Sequence, residues 1–294
     1  MSVIKSYSVG NGDMFYIRHG SDSFSIVDCC LSDEDEYRIV SELREASSDK
    51  GVIRFISSHP DDDHMRGLAY LDSQLSIPNF YCVKNAVTKE EETEDFLKYC
   101  ELRDSDKASY LFSGCSRKWL NQSDGQRQGA GIQILWPQTG NAYYQSALDD
   151  AAEGGSPNNI SPIVKYSLEG GVTMLWMGDL ETDFMENVKG DLALPRVDVL
   201  FAPHHGRDSG KVPTELLEQM NPRIVVIGEA PAEHLNYYAG YDTITQNSAG
   251  DISFDCGNAE VHISVSDETY SVDFLVNRWQ PSTHGRYLGT LVLD

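Results

Sequence analysis

Six consecutive residues, His59-Pro60-Asp61-Asp62-Asp63-His64, put two imidazoles and three carboxylates into one short segment. Imidazole nitrogen and carboxylate oxygen both suit zinc or manganese, and the HxDxDH spacing lets a tight loop turn several of them toward one centre. Two further segments carry matching groups: Gly178-Asp179 and Pro203-His204-His205-Gly206. Four of the eight histidines fall in these three segments, so the imidazoles collect where the carboxylates are. A carboxylate such as Asp179 can bridge two ions about 3.5–4 Å apart, an arrangement that acidifies water and clamps phosphoryl or acyl oxygens. Asp61, Asp63 and Asp179 would offset three of the four charges of two divalent ions, and a hydroxide the last. A lone Asp-Asp-Asp is ordinarily a solvated loop and a lone histidine ordinarily structural; the combination points to metal-dependent hydrolysis.

The placement of these groups follows from the apolar runs before them. Val52 to Ile56, Val172 to Met177 and Val197 to Ala202 read as strands, and each runs directly into one ligand segment. Loops at strand ends are where a rigid scaffold presents reactive side chains. Met14 to Ile17 and Phe24 to Val27 read as a strand pair joined by residues 19–22, and Ser32 as the cap of a helix to about Ala46 with Tyr37, Val40 and Leu43 on one face. Tyr81 to Val83 reads as a strand. Thr88 reads as the cap of a helix to about Leu102, with Phe96, Leu97 and Cys100 inward. Ile132 to Trp136 and Ile163 to Leu168 read as strands, and Gly140 to Asn158, rich in Gly, Asn and acid, as a loop. Short helices are expected over Asp183 to Val188 and from Pro213 to Met220, and a strand over Arg223 to Ile227. Alternation over Val261 to Val265 and Val272 to Val276 predicts two late strands.

Composition narrows the partners. The 294 residues are 40% hydrophobic, enough for a large core, and carry a net charge of -23. Polyanion binding draws most of its affinity from Lys and Arg on phosphates, so a long nucleic acid is a poor fit. No apolar run approaches the roughly 20 residues of a spanning helix, and the six cysteines show no CxxC spacing. The expectation is a cytoplasmic protein with reduced thiols and no membrane contact.

HPDDDH resembles the HxHxDH motif of the metallo-β-lactamase superfamily, with Asp61 where the second histidine stands. The variant is similar to the hydrolase domain of DNA-uptake channel proteins of the ComEC-like group. Val9-Gly10-Asn11-Gly12-Asp13 resembles that group's VGQGD motif, and Ile26-Val27-Asp28 its IDxG strand, with Cys29-Cys30 in place of the small residue and glycine. Leu135-Trp136-Pro137, Asn158-Asn159-Ile160-Ser161, Met177-Gly178-Asp179, Pro203-His204-His205-Gly206 and Gly250-Asp251-Ile252 continue the match in order, over residues 3 to 255. The resemblance implies an α/β fold, a four-layer αββα sandwich with metals at one edge between two sheets. Residues 1–276 would form that hydrolase domain, and 277–294 a C-terminal extension packing on it or on a partner.

By position, the resemblance implies that His59 and Asp61 hold one ion, that Asp63 and His64 hold the other, and that Asp179 bridges. One of His204 and His205 completes the second ion, while the other meets substrate or the bridging carboxylate. Asp63 also orients the attacking hydroxide, and Asp13 and Asp28 stand behind the ligands. Two departures matter. No histidine lies between His64 and His204, so the superfamily's third histidine ligand is missing and Asn159 and Ser161 stand there as hydrogen-bond donors to substrate. The lysine often found before Pro-His-His-Gly is Phe201. Arg66 and Arg207 flank the loops and could grip a phosphate. The expectation is a Zn2+ or Mn2+ phosphodiesterase or nuclease, with one or two ions, acting on a nucleotide or short nucleic acid. The alternatives are a subunit of a defence- or toxin-like system, its acidic surface docking a basic protein and its metal site acting only with that partner or being structural, or a thioester or lactam hydrolase. A protein partner or a homodimer is compatible with the sequence.

Overall fold

Phe15, Trp176, Phe201 and Phe254 meet between two β-sheets, with ring centroids 4.6–6.1 Å apart. Stacked and edge-on aromatic pairs of this kind fill a sheet-on-sheet core. The computed structural model describes residues 1–293; Asp294, the last residue of the expected C-terminal extension, lies outside the described residues.

In chain order the first half contains β1 (Ser2–Ser6), β2 (Phe15–Arg18), β3 (Ser23–Val27), β4 (Cys29–Cys30), α1 (Glu36–Ser47), β5 (Val52–Ile56), α2 (Asp62–Met65), α3 (Leu68–Leu75), β6 (Phe80–Cys82), α4 (Glu94–Arg103) and β7 (Ala108–Tyr110). The second half contains β8 (Ile132–Trp136), α5 (Ala142–Ala152), β9 (Ile163–Ser167), β10 (Thr173–Trp176), α6 (Thr182–Val188), β11 (Val199–Phe201), α7 (Thr214–Met220), β12 (Ile224–Ile227), β13 (Asp242–Thr245), α8 (Gln246–Ala249), β14 (Ile252–Cys256), β15 (Glu260–Val265) and β16 (Arg286–Val292).

Among the described residues the strands form a nine-stranded sheet, β16-β15-β14-β1-β2-β3-β5-β6-β7, and a six-stranded sheet, β13-β12-β11-β10-β9-β8. β3, β5, β6 and β7 run parallel, as do β10, β11, β12 and β13. Parallel neighbours need crossover connections, and α1 between β3 and β5 and α7 between β11 and β12 supply them. Ile39, Val40 and Leu43 of α1 are buried, and Tyr99 of α4 packs edge-on against Phe80. On the far side Trp136 packs edge-on against Tyr144 of α5 and Phe184 of α6. Helix, sheet, sheet and helix therefore stack in four layers, the αββα sandwich expected from the sequence.

Several local expectations need correction. Residues 142–152 form a helix rather than a loop, because Asn141 accepts the N–H groups of Tyr143 and Tyr144 and caps it, while Tyr144 and Ala151 bury one face. α4 starts at Glu94, not near Thr88: Thr93 accepts the Phe96 N–H, whereas the Thr88 hydroxyl donates to the Ala152 carbonyl. Leu97 and Tyr37 face solvent. α1 starts at Glu36 rather than at Ser32, whose carbonyl instead closes a turn by accepting the N–H groups of Asp35 and Glu36. Val272 to Val276 is not a strand; Val276 alone bridges to Thr290 of β16, which pairs with β15 at the sheet edge.

Candidate metal centre

The parallel strands of both sheets end at one rim of the sandwich, and the ligand segments meet there. The His204 N–H donates to the Gly178 carbonyl at 3.0 Å, joining the loop after β11 to the loop after β10. The Asp13 N–H donates to the Asp63 carbonyl at 3.1 Å, joining the β1–β2 loop to α2. Glycine is required at two of these crossings. A Cβ on Gly178, at φ 53°, would lie 2.6 Å from Ser161 Oγ, and one on Gly12 would lie 2.6 Å from the Asp63 carbonyl oxygen. Asp28, His204 and His205 adopt left-handed backbone at φ 57°, 52° and 58°, a conformation that L residues hold only when the surroundings impose it.

Asp13, His64, Asp179 and His205 each bring one donor atom to within 4.8 Å of the others, a grouping that could hold a metal ion. His64, His205 and Asp179 are buried and Asp13 is half-buried. Each imidazole is oriented from behind. His64 Nδ1 lies 3.0 Å from Asp28 Oδ2, and Asp28 also accepts the Ser58 N–H and hydroxyl, both at 2.7 Å. His205 Nδ1 lies 3.1 Å from Asp13 Oδ1. His59 Nδ1 lies 3.0 Å from Ser58 Oγ and 3.2 Å from Ser161 Oγ. His204 Nδ1 lies 2.9 Å from Ser209 Oγ. Such contacts fix the tautomer and aim Nε2 at the ligand side.

What Nε2 faces is the informative feature. Nε2 of His59, His64 and His205 and Oδ1 of Asp179 are buried without a hydrogen-bond partner. His64 Nε2 and Asp179 Oδ1 are 3.1 Å apart yet lack the alignment of a hydrogen bond. The His59 and His64 rings lie 4.2 Å apart, and those of His64 and His205 5.1 Å apart, so the three form a row. A buried polar atom left unpaired costs about 1–3 kcal/mol, and several aimed at one place are what a cation satisfies. The donor set therefore fits a divalent ion.

Electrostatics agree with that fit. Burial would lower His64, but Asp179 and Asp28 outweigh it and hold its pKa well above the usual imidazole value. His205 is raised in the same way by Asp13 and Asp179. Asp179 is driven well below the carboxylate range, since His64 and His205 overcome its burial. Asp63, against His205 and His64, is lowered to about 2 despite partial burial. His59 is pushed down to about 3, by burial and then by neighbouring His64. His204 is lowered by burial, with His205 and Arg207 adding to the effect and Asp179 opposing it.

The remaining expected residues divide. Asp63 is at the rim, its Oδ2 3.4 Å from His205 Nε2 and 3.3 Å from Asn11 Nδ2. His204 stands at the mouth, its Nε2 3.7 Å from Asp179 Oδ2. Ser161 is fully buried and its Oγ accepts the Asp179 N–H at 3.2 Å. Asn159 is engaged at both ends of its amide by Glu181. Asp61 is outside the four-residue grouping: its carboxylate accepts the Asp62 N–H and pairs with Lys89. Arg66 donates to Cys30 Sγ, and Arg207 to Asn11 Oδ1. Phe201 is 5% exposed and stacked on Trp176 between the sheets, so its position faces the core rather than the rim. Sequence reasoning did not find Glu229, which accepts the Ser8 hydroxyl at 2.5 Å and the Gly10 N–H at 2.9 Å and so pins the loop bearing Asp13. Nothing in its local sequence marks it. A groove of about 730 Å³ lies elsewhere, beside Lys5, which pairs with both Glu42 and Asp251.

No family model and no curated protein matches the chain. Among solved structures it is similar to Igni18, a novel metallo hydrolase from the hyperthermophilic archaeon Ignicoccus hospitalis KIN4/I. The two share 12% identity over 86% of this chain and 99% of that one, at a TM-score of 0.48. Among the described residues no helix is long and apolar enough to cross a membrane, and all six cysteines are free.

Proposed function

We propose that this protein is a divalent-metal-dependent hydrolase that directs water onto a phosphodiester of a nucleotide or short nucleic acid. The observation that carries the reading is the convergence of buried, unpartnered His59, His64 and His205 Nε2 atoms with Asp179 Oδ1 at the rim. His64, His205 and Asp179 would hold the ion, and Asp13, whose Oδ1 lies on His205 Nδ1, would add its other carboxylate oxygen. Carboxylates make up half of that set, which favours manganese somewhat more than an all-imidazole site would, with zinc also accommodated. When bound, the ion would polarise a phosphoryl oxygen and acidify water.

The chain's own groups supply the rest. Asp63 is ionised at neutral pH and partly exposed, so its carboxylate can accept the proton of an attacking water. His204, uncharged at neutral pH and at the mouth, can hold or give a proton at Nε2 on the substrate side. Ser161 and Asn159 act through their neighbours: Ser161 orients His59 and the Asp179 backbone, and Asn159 holds Glu181. The resemblance of the ligand loops to the ComEC-like group supports a phosphodiester over a thioester or lactam. The net charge of -23 supports a short substrate over a long duplex.

Hydrolysis of an aryl phosphodiester with Mn2+ or Zn2+ tests the reading. Wild type should turn over, and Asp63→Ala should be slowed by about 100-fold or more. Equal rates in the two proteins, or no turnover with any divalent ion, would overturn it.

A further inference from the structure

Asp61 occupies a ligand position in the sequence motif, yet its carboxylate already has a cation. Asp61 Oδ1 lies 2.8 Å from Lys89 Nζ. The same carboxylate accepts the Asp62 N–H at 3.1 Å and caps α2. Lys89 is held in place by the loop after β6. Thr88 beside it is tied to α5 through its N–H on the Ala151 carbonyl and its hydroxyl on the Ala152 carbonyl, and Val87 is buried. The Lys89 ammonium is also 5.9 Å above the Phe96 ring.

The other donors that a second ion would need are spent as well. Ser161 stands in the region where a third histidine would complete a two-ion site. Its oxygen accepts the Asp179 N–H and lies 3.2 Å from His59 Nδ1. Beside Asp61 the unengaged donors are His59 Nε2 and Asp179 Oδ1, and Asp179 already belongs to the four-residue grouping. Protein metal sites take three or four protein donors, and one imidazole does not retain an ion. The grouping of Asp13, His64, Asp179 and His205 meets that requirement without Asp61.

We infer that the centre holds one divalent ion per chain, and that the Lys89 ammonium takes the place of a second ion as the counter-charge of Asp61. The inference rests on the metal-dependent reading above. It differs from that reading in fixing the ion count and in removing Asp61 from the ligands.

The test is titration of metal-free full-length protein with Mn2+, read by calorimetry and by elemental analysis after dialysis. Wild type should bind one equivalent. Asp61→Asn keeps a good helix cap, so it should fold, bind one equivalent and keep the wild-type affinity within about threefold. Lys89→Met removes a partly exposed cation and leaves Asp61 unpaired; a second, weaker equivalent should then appear at millimolar Mn2+. Two equivalents on wild type, a tenfold or larger loss of affinity in Asp61→Asn, or a count that stays at one in Lys89→Met would each overturn the inference while the hydrolase reading stands. No bound ion in any of the three proteins would remove the metal centre itself, and this inference with it.

Discussion

Metal binding at this rim should expel two protons. In the metal-free protein the carboxylates of Asp28 and Asp179 around His64, and of Asp13 and Asp179 around His205, keep both imidazoles protonated at about pH 7. Asp179 is ionised, as is Asp63 at about 2, and His59 at about 3 is neutral, so these groups exchange no proton near neutrality. An ion that takes Nε2 of His64 and His205 must displace a proton from each. The apparent association constant should therefore rise about 100-fold per pH unit, or about 2.7 kcal/mol, over the range where both imidazoles hold protons. Calorimetry of Mn2+ or Zn2+ binding in buffers of different ionisation enthalpy counts the protons directly, and about two should appear near pH 7. No proton release, or an affinity flat across the neutral range, would refute the assignment of His64 and His205. The same shifts set the stability of the metal-free protein. A histidine with a raised folded pKa stabilises below its unfolded value of about 6.5 and loses that contribution as pH rises through the folded value. Asp179, with a depressed pKa, contributes above about pH 4 and loses its contribution as acid titrates it. Metal-free protein should thus melt at lower temperature on the alkaline side, and metal should abolish that fall.

Asp28→Asn removes the carboxylate that holds His64 Nδ1 and Ser58; metal affinity in the same titration should drop about 10–100-fold, the usual cost of losing such a support. Gly12→Ala would press a Cβ to 2.6 Å from the Asp63 carbonyl, a backbone atom with little freedom. The Asp13 loop should shift, lowering phosphodiester turnover at least about tenfold and stability by about 1–3 kcal/mol in denaturant titration. Phe201→Ala deletes a ring packed on Trp176, Phe15 and Phe254; it should cost about 3–5 kcal/mol in the same titration while leaving the metal count unchanged. Chelation should lower the melting temperature, since an ion at 100 times its dissociation constant contributes about 2.7 kcal/mol.

The strand-end logic carried most of what was legible in the sequence. Apolar runs that stop abruptly at polar residues place β5, β10 and β11, and therefore the loops bearing His64, Asp179 and His205. Local signals that depend on one side chain's choice of partner were harder to read. Thr88 and Thr93 are equally good caps on paper, and the choice falls to Thr93 because the α5 carbonyl takes the Thr88 hydroxyl. Asn141 makes a helix from a segment whose glycines and acids suggested a loop. Long-range polar pairs were out of reach: Glu229 meets Ser8 across 221 residues, and Lys89 meets Asp61 across 28. Phe201 shows the converse. Its replacement of a lysine was legible, but only the packing shows that the position is part of the inter-sheet core.

The rim holds features that each oppose folding. Asp28, His204 and His205 sit in left-handed backbone, at about 1–3 kcal/mol each. Four buried donors or acceptors of His59, His64, His205 and Asp179 go without hydrogen bonds, again about 1–3 kcal/mol each. A domain's net stability is about 5–15 kcal/mol, so costs on this scale are a large fraction of it and need an extensive core elsewhere to hold the rim in shape. The stacked aromatics between the sheets lie directly behind these loops, with Phe201 three residues before His204. The apolar core thus fixes the backbone, the backbone fixes the carboxylates behind His64 and His205, and these imidazoles present Nε2 atoms that have no hydrogen-bond partner among the described residues. A cation answers the unpaired atoms of His64, His205 and Asp179 at once, which is why the metal reading follows from the energetics of the rim as well as from its residue types.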